Sequence, residues 1–211
     1  MTREPSTRPY RMQLRAAQQA RTRERITESA VELHGTLGPA RTSMSAVAAQ
    51  AGVRRSTLYR HFPDEAALFD ACSAHWMAAN PPPNLGAWAE IADPDERLLT
   101  ALGELHGYYR RTEKMLDNLF RDESIVPFVG ERFAAFRGFL AAAQETLMAG
   151  RDRRGAAARR TRGALGHAIA FSTWKSLVRE HRLSDADAVT LLCGLVAASS
   201  QVPGSGGLSQ A

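Results

Sequence analysis

The chain has 211 residues, with 27 Lys+Arg against 22 Asp+Glu and a 44% share of hydrophobic residues, enough for one sizeable or two small self-supporting cores. Its two cysteines, Cys72 and Cys193, lie far apart, which excludes a disulfide framework or a zinc spacing and fits a reducing compartment. No apolar run is long enough for a bilayer and no basic head precedes an apolar segment, so a soluble cytoplasmic protein with no signal peptide and no membrane partner is expected.

The net charge of +5 is unevenly placed. Residues 1–65 carry 11 Lys+Arg and 6 Asp+Glu, while residues 66–211 carry 16 of each. The whole excess lies in the first third, which singles that part out for a polyanion partner.

In chain order, residues 1–16 mix Pro, Ser, Thr and Arg without periodicity and read as a flexible basic arm. Its arginines Arg3, Arg8, Arg11 and Arg15, continued by Arg21, Arg23 and Arg25, suit either phosphate contact or a solvated tail. A first helix is predicted from about Ala17, with Ile26, Ala30, Leu33 and Leu37 as its apolar stripe and Gly38-Pro39 as its stop. Thr42 or Ser43 can cap a short second helix that Gly52 ends, and Arg55–His61 forms a third. Asp64 caps a helix to Asn80, which Pro81-Pro82-Pro83 terminates. Residues 81–93 read as a loop. Asp93-Pro94-Asp95-Glu96 is a helix-start signal, followed by Leu98, Leu102, Leu105 and Tyr109 on one face. Separate helices are predicted at about 113–122, 126–149, 156–181 and 185–199, the last capped by Ser184, with a disordered tail over 201–211. The fold class is all-α, about nine helices packed as bundles. The expected division is a helix-turn-helix unit at 17–63 and a larger helical domain at 64–200.

The stretch from Thr42 to Phe62 has the helix-turn-helix pattern. Ala48 and Gly52 are small where two helices must cross closely, and Gly52 suits the bend. Leu58 and Phe62, four apart, point inward. Arg55, Ser56, Tyr59 and Arg60 then face outward, flanked by Thr57 and His61. Arginine can fork onto guanine edges or phosphate, and hydroxyls can bond phosphate oxygens, so this face suits the major groove of double-stranded DNA.

Residues 42–68, TSMSAVAAQAGVRRSTLYRHFPDEAAL, resemble the DNA-binding signature of the TetR family of bacterial transcriptional regulators. The specific elements are Ala48, Gly52-Val53, Thr57-Leu58-Tyr59 and His61-Phe62. The resemblance implies a homodimer whose N-terminal three-helix units each read half of a palindromic operator, with a C-terminal domain that dimerises and binds a small-molecule effector. It implies Arg55, Ser56 and Tyr59 in the major groove, and Thr42, Ser43, Thr57 and His61 on phosphate, with Ser45 also within reach of DNA. Two positions depart from the family pattern. Glu65 stands where a Lys or Arg is frequent, and Arg54 replaces a capping Ser, adding a cation near the DNA backbone.

In the C-terminal two-thirds, Trp76, His106, Tyr109, Phe120, Phe128, Phe133, Phe136 and Trp174 are candidates to line an effector cavity, with His106 and Tyr109 as polar anchors. Leu191, Leu192, Leu195 and Val196, with the small-residue face Gly163, Gly166 and Ala170, are candidates for the dimer interface. The arginines at 151, 153, 154, 159, 160 and 162 read as a solvated loop and helix face. There is no His-Glu-x-x-His, no Gly-rich phosphate loop and no Gly-x-Ser-x-Gly, so neither an enzyme nor a metal or cofactor is expected. The functional classes left are a repressor released by an apolar or aromatic ligand, and a helix-turn-helix protein without effector control, or an activator.

Overall fold

A computed structural model describes residues 7–151 and 154–201, and all regular structure among them is helical, in ten α-helices. The predicted tail beyond Gln201 and the first six residues of the arm lie outside the described residues. The chain divides into two compact units. The first holds the residues up to Pro81 and Lys114–Phe133; the second holds Pro82–Glu113 and the residues from Ala134 onward. The middle segment Lys114–Phe133 thus groups with the N-terminal residues.

The first unit comprises α1 (Thr7–Thr36), a tight turn at Pro39–Arg41, α2 (Met44–Gln50), α3 (Arg55–His61) and α4 (Glu65–Ala79). The end of α6 (Pro94–Asp122) and the start of α7 (Pro127–Met148) complete it. Its core joins Ile26 and Ala30 of α1, Val47 and Ala48 of α2, Leu58 of α3 with Phe62 just after it, Leu68, Phe69 and Cys72 of α4, and Val129 of α7. α1 starts ten residues before the predicted Ala17. Periodicity reports burial, and residues Tyr10–Arg21 are all exposed, so they carry no stripe. Their composition forms the helix instead: Met12, Gln13, Leu14, Ala16, Ala17, Gln18, Gln19 and Ala20 are strong helix formers, and Pro9 falls in the first turn where it is tolerated. Leu37, predicted on the buried stripe, lies past the last helical residue and is exposed.

The second unit holds α5 (Leu85–Ala89), the first part of α6, the rest of α7, α8 (Gly155–Ala168), α9 (Phe171–Lys175) and α10 (Asp185–Ser199). α5 occupies the predicted loop 81–93. The Asn84 side chain caps it by accepting from Gly86 N–H at 2.9 Å, and its buried Trp88 donates to Glu104 at 2.8 Å. α6 starts at the predicted signal, where Asp93 accepts from the amides of Asp95 and Glu96, both at 2.8 Å. It runs through residue 112 without the predicted break, and the buried Thr112 hydroxyl is satisfied within the helix, donating to Tyr108 O at 2.6 Å. The predicted helix 156–181 is interrupted at Ala170, whose backbone is extended. The freed Ile169 carbonyl accepts the buried Tyr109 hydroxyl. After α9 the chain makes one wide turn over Ser176–Glu180, closed by His181 N–H on Ser176 O. Arg97 is buried without a carboxylate. Its guanidinium donates to the carbonyls of Ile91, Ala92, Thr146 and Ala149, so it closes the C-terminal end of α7, where a cation is favoured.

Candidate nucleic-acid interface

The helix-turn-helix is built by local chemistry. Ser43 caps α2, its hydroxyl oxygen accepting from Ala46 N–H at 3.2 Å, and the Thr42 hydroxyl donates to Gly38 O at 2.8 Å. The bend is closed by Val53 N–H on Ala48 O, and Gly52 at φ 61° supplies the left-handed residue it needs. Arg54 precedes α3 without a side-chain cap bond. Within α3, Leu58 is fully buried and the following Phe62 equally so. Arg55, Ser56, Tyr59 and Arg60 are exposed, with Thr57 and His61 half-buried beside them. Arg55 donates to the Tyr59 hydroxyl at 3.2 Å and lies over its ring at 5.4 Å. The two side chains therefore present one planar, donor-rich edge one turn apart, the chemistry that base edges accept. Ser43 and Ser45 are exposed at the start of α2, and Thr42 is half-buried. His61 has its Nε2 enclosed without a hydrogen-bond partner, and burial, then Arg60 and Arg23, depress its pKa.

Arg23 and Arg25, read from sequence with the arm, work inside the unit. Arg25 donates to Ala51 O at 3.1 Å, at the end of α2. Arg23 donates to His61 O at 2.8 Å, at the end of α3, and covers the Phe62 ring at 4.1 Å. Each cation closes a helix C-terminus of the helix-turn-helix pair. A second support lies in the last turn of α6 and carries no sequence signal. Asn118 donates to His34 O and Gly35 O at 2.9 and 3.0 Å, and Arg121 donates to Leu37 O at 2.8 Å and to Asn118 at 2.9 Å. Asp122, fully buried, accepts from Ala40 N–H at 3.0 Å and pairs with Arg121. Burial opposes its charge, but the bonds from Arg121 and Ala40 and the nearby Arg41 hold its pKa below the usual carboxylate value. These three side chains satisfy the orphan carbonyls ending α1 and fix the turn that leads to the Ser43 cap.

The candidate effector residues fall in two groups. Trp76, Phe120, Phe128 and Phe133 belong to the N-terminal unit, where Phe120 meets Phe133 at 4.7 Å between centroids. His106, Tyr109, Phe136 and Trp174 belong to the C-terminal unit. There Tyr109, Phe171 and Trp174 pack on one another at 5.4–5.9 Å. His106 is buried in the same unit with both ring nitrogens lacking a hydrogen-bond partner, since Asp185 stands 3.6 Å away. Burial depresses its pKa against the opposing pull of Asp185.

The candidate dimer residues also separate. Leu191 and Leu195 are exposed at 52% and 43%, whereas Leu192 and Val196 are buried at 2% and 1% in the protomer's own core. Gly163 is exposed, Gly166 faces the Gln144 amide, and Ala170 lies in the break after α8. Among the described residues, no helix is long and apolar enough to cross a membrane and no group of His, Cys, Asp or Glu gathers to hold a metal.

Residues 26–72 match the family profile described as bacterial regulatory proteins, tetR family. No curated protein matches the chain. Among solved structures, a TetR-like transcriptional regulator from Rhodococcus sp. RHA1 superposes with a TM-score of 0.61 at 19% identity, covering 86% of this chain and 96% of that one. A tetR-family transcriptional regulator from Streptomyces coelicolor gives 0.59 at 19% identity, covering 86% and 83%. The SmeT–triclosan complex gives 0.56 at 20% identity, covering 84% and 90%. The chain carries the N-terminal domain and has the fold of the TetR family of transcriptional regulators.

Proposed function

We propose that the protein is a cytoplasmic repressor that binds a palindromic operator as a homodimer and leaves it when a small apolar or aromatic molecule binds the C-terminal domain. The observation that carries the DNA part is the division of α3: Leu58 and Phe62 are sunk in the core while Arg55, Ser56, Tyr59 and Arg60 are exposed on the outward side. Arg55, Ser56 and Tyr59 read bases; Ser43, Ser45, Thr42, Arg54, Thr57, Arg60 and His61 serve phosphate. In a dimer the two α3 helices must lie about 34–36 Å apart to enter successive major grooves. The effector part is supported by His106, a buried polar ring without a hydrogen-bond partner in a unit rich in aromatics, and by a neighbour of the same fold solved with triclosan. The second reading, DNA binding without effector control, is favoured by the close mutual packing of Tyr109, Phe171 and Trp174.

The test is to let the wild type select its site from random duplexes, then compare variants on that site. Arg55→Ala and Tyr59→Ala are each expected to weaken binding by about 1–3 kcal/mol, roughly 5–150-fold, for each half-site, with the melting temperature unchanged because both side chains are exposed. Wild-type affinity in both variants would remove α3 from the interface, and no enriched sequence would remove the regulator itself.

Assembly gives a separate expectation. Leu191 and Leu195 are one turn apart and exposed on α10, so they suit a self-complementary seam. Leu191→Arg with Leu195→Arg is expected to give a soluble, folded monomer in sedimentation, since a charge costs several kcal/mol in an apolar interface and little on an open surface. An intact dimer in this double variant places the interface on another face.

A further inference from the structure

We propose that the outer half of α1 is a second DNA-contact surface, which grips phosphates flanking the half-site that α3 reads. The inference rests on the DNA-binding reading above and extends it to residues outside the family-matched segment 26–72.

α1 is 30 residues long, yet its buried positions begin only at Ile26. Every residue from Tyr10 to Arg21 is exposed, including Tyr10 at 65%, Met12 at 67% and Leu14 at 52%. At 1.5 Å per residue, Thr7–Arg25 forms a rod of about 28 Å, most of it without cover from the described chain. Six arginines and one acid, Glu24, lie in this span. The inboard pair, Arg23 and Arg25, is engaged on the carbonyls of His61 and Ala51. Among the described residues, Arg11, Arg15 and Arg21 meet no carboxylate and no carbonyl.

The register of the helix decides where the free arginines stand. At about 100° per residue, Arg11, Arg15, Thr22, Ile26, Ser29 and Leu33 share a strip about 60° wide. From Ile26 onward this strip packs into the core of the helix-turn-helix. Arg25, at its edge, reaches the bend between α2 and α3. The outer continuation of the same strip therefore carries Arg11 and Arg15 beyond the core on the side where α2 and α3 lie. An anionic rod running past that side offers phosphates to both, and guanidinium forks fit phosphate oxygens.

The helix does not suit a lipid surface. A helix lying in a bilayer interface needs one continuous apolar face, whereas Met12 falls about 160° around the helix from both Tyr10 and Leu14. Duplex DNA supplies the dense, regular negative charge without requiring such a face.

The experiment uses the full chain with Arg11→Gln and Arg15→Gln together, titrated over a salt series on the selected operator, on a scrambled duplex of equal length, and on an operator trimmed of its flanks. Each lost phosphate contact flattens the slope of log affinity against log salt by about 0.9, and each of the two protomers loses two, so the double variant is expected to be shallower by about 3.6 on the two long duplexes. Its melting temperature should match the wild type, and Arg11→Lys with Arg15→Lys should restore the slope. On the trimmed duplex the substitutions should have no effect. An unchanged slope on the long duplexes overturns the proposal, as does an undiminished effect on the trimmed one. So does a parallel titration on phosphatidylserine vesicles in which the double variant loses binding while its duplex slopes stay unchanged, which makes the helix a membrane contact. Because phosphate contacts ignore sequence, the scrambled duplex reads the outer helix even if the wild type prefers no operator.

Discussion

Gly38→Ala is expected to lower the stability of the N-terminal unit by about 3–5 kcal/mol, while Gly52→Ala costs about 1 kcal/mol. Both glycines have positive φ, 92° at Gly38 and 61° at Gly52. Their surroundings differ. Gly38 combines its φ with ψ 157°, a region that essentially only glycine occupies. A Cβ there would collide with the guanidinium of Arg121 and the carboxylate of Asp122. Moving them away strips the orphan carbonyl of Leu37 and leaves a buried Asp122 short of partners, the costlier half of the effect. A Cβ on Gly52 meets nothing within 4 Å, and an ordinary left-handed conformation is within reach of alanine at modest cost. At roughly 2–4 °C per kcal/mol for a chain of this size, the Gly38 variant should melt about 10 °C lower and the Gly52 variant a few degrees lower. Equal melting of the two variants would mean that the last turn of α6 does not brace the end of α1.

The contrast between α3 and that brace shows what a single sequence discloses. Leu58 and Phe62 lie four apart beside a Gly bend, so a local pattern of about twenty residues is enough to orient α3. Asn118, Arg121 and Asp122 act on partners 82–84 residues away, and a polar helix end that satisfies distant carbonyls reads the same as one facing water. The outer half of α1 escapes periodicity for the opposite reason: it buries nothing, so its helicity rests on composition alone. In α10 the four apolar positions Leu191, Leu192, Leu195 and Val196 wrap more than one face. Periodicity shows that the helix is apolar, but only packing decides that Leu192 and Val196 turn inward while Leu191 and Leu195 remain outside. The break at Ala170 is tertiary as well, since the Tyr109 hydroxyl that takes up the freed carbonyl comes from 60 residues upstream.

Acidification from pH 7 to 5 is expected to cost the N-terminal unit about 2 kcal/mol through one side chain, His34. It lies near the end of α1, buried against α4, its Nδ1 3.3 Å from the Cys72 sulfur and its ring 5.5 Å from that of Phe69. Burial lowers its pKa from 6.5 to about 4, a fall that the charge of Asp122 on α6 only partly opposes. The neighbouring Cys72 thiol, pushed up to about 12 by burial, stays neutral and offers a proton on the ring no charged partner. Between pH 6.5 and 4 the unfolded chain therefore binds a proton that the folded chain refuses. The stabilisation is whole above pH 6.5 and disappears as the pH falls toward 4, at up to about 1.4 kcal/mol per pH unit. The depressed carboxylates Asp70 and Asp122 act on the same side of the balance only at lower pH, through the ordinary carboxylate range and below. His61 and His106, also depressed, add to the slope, so the wild type alone cannot isolate His34. His34→Phe can: it keeps a ring beside Phe69 and removes the titration. Urea unfolding at pH 7 and pH 5 should show a loss smaller by about 2 kcal/mol in this variant than in the wild type. An identical pH dependence in the two proteins would mean that the buried ring takes up its proton in the folded state as readily as in water, and would overturn the assignment to His34.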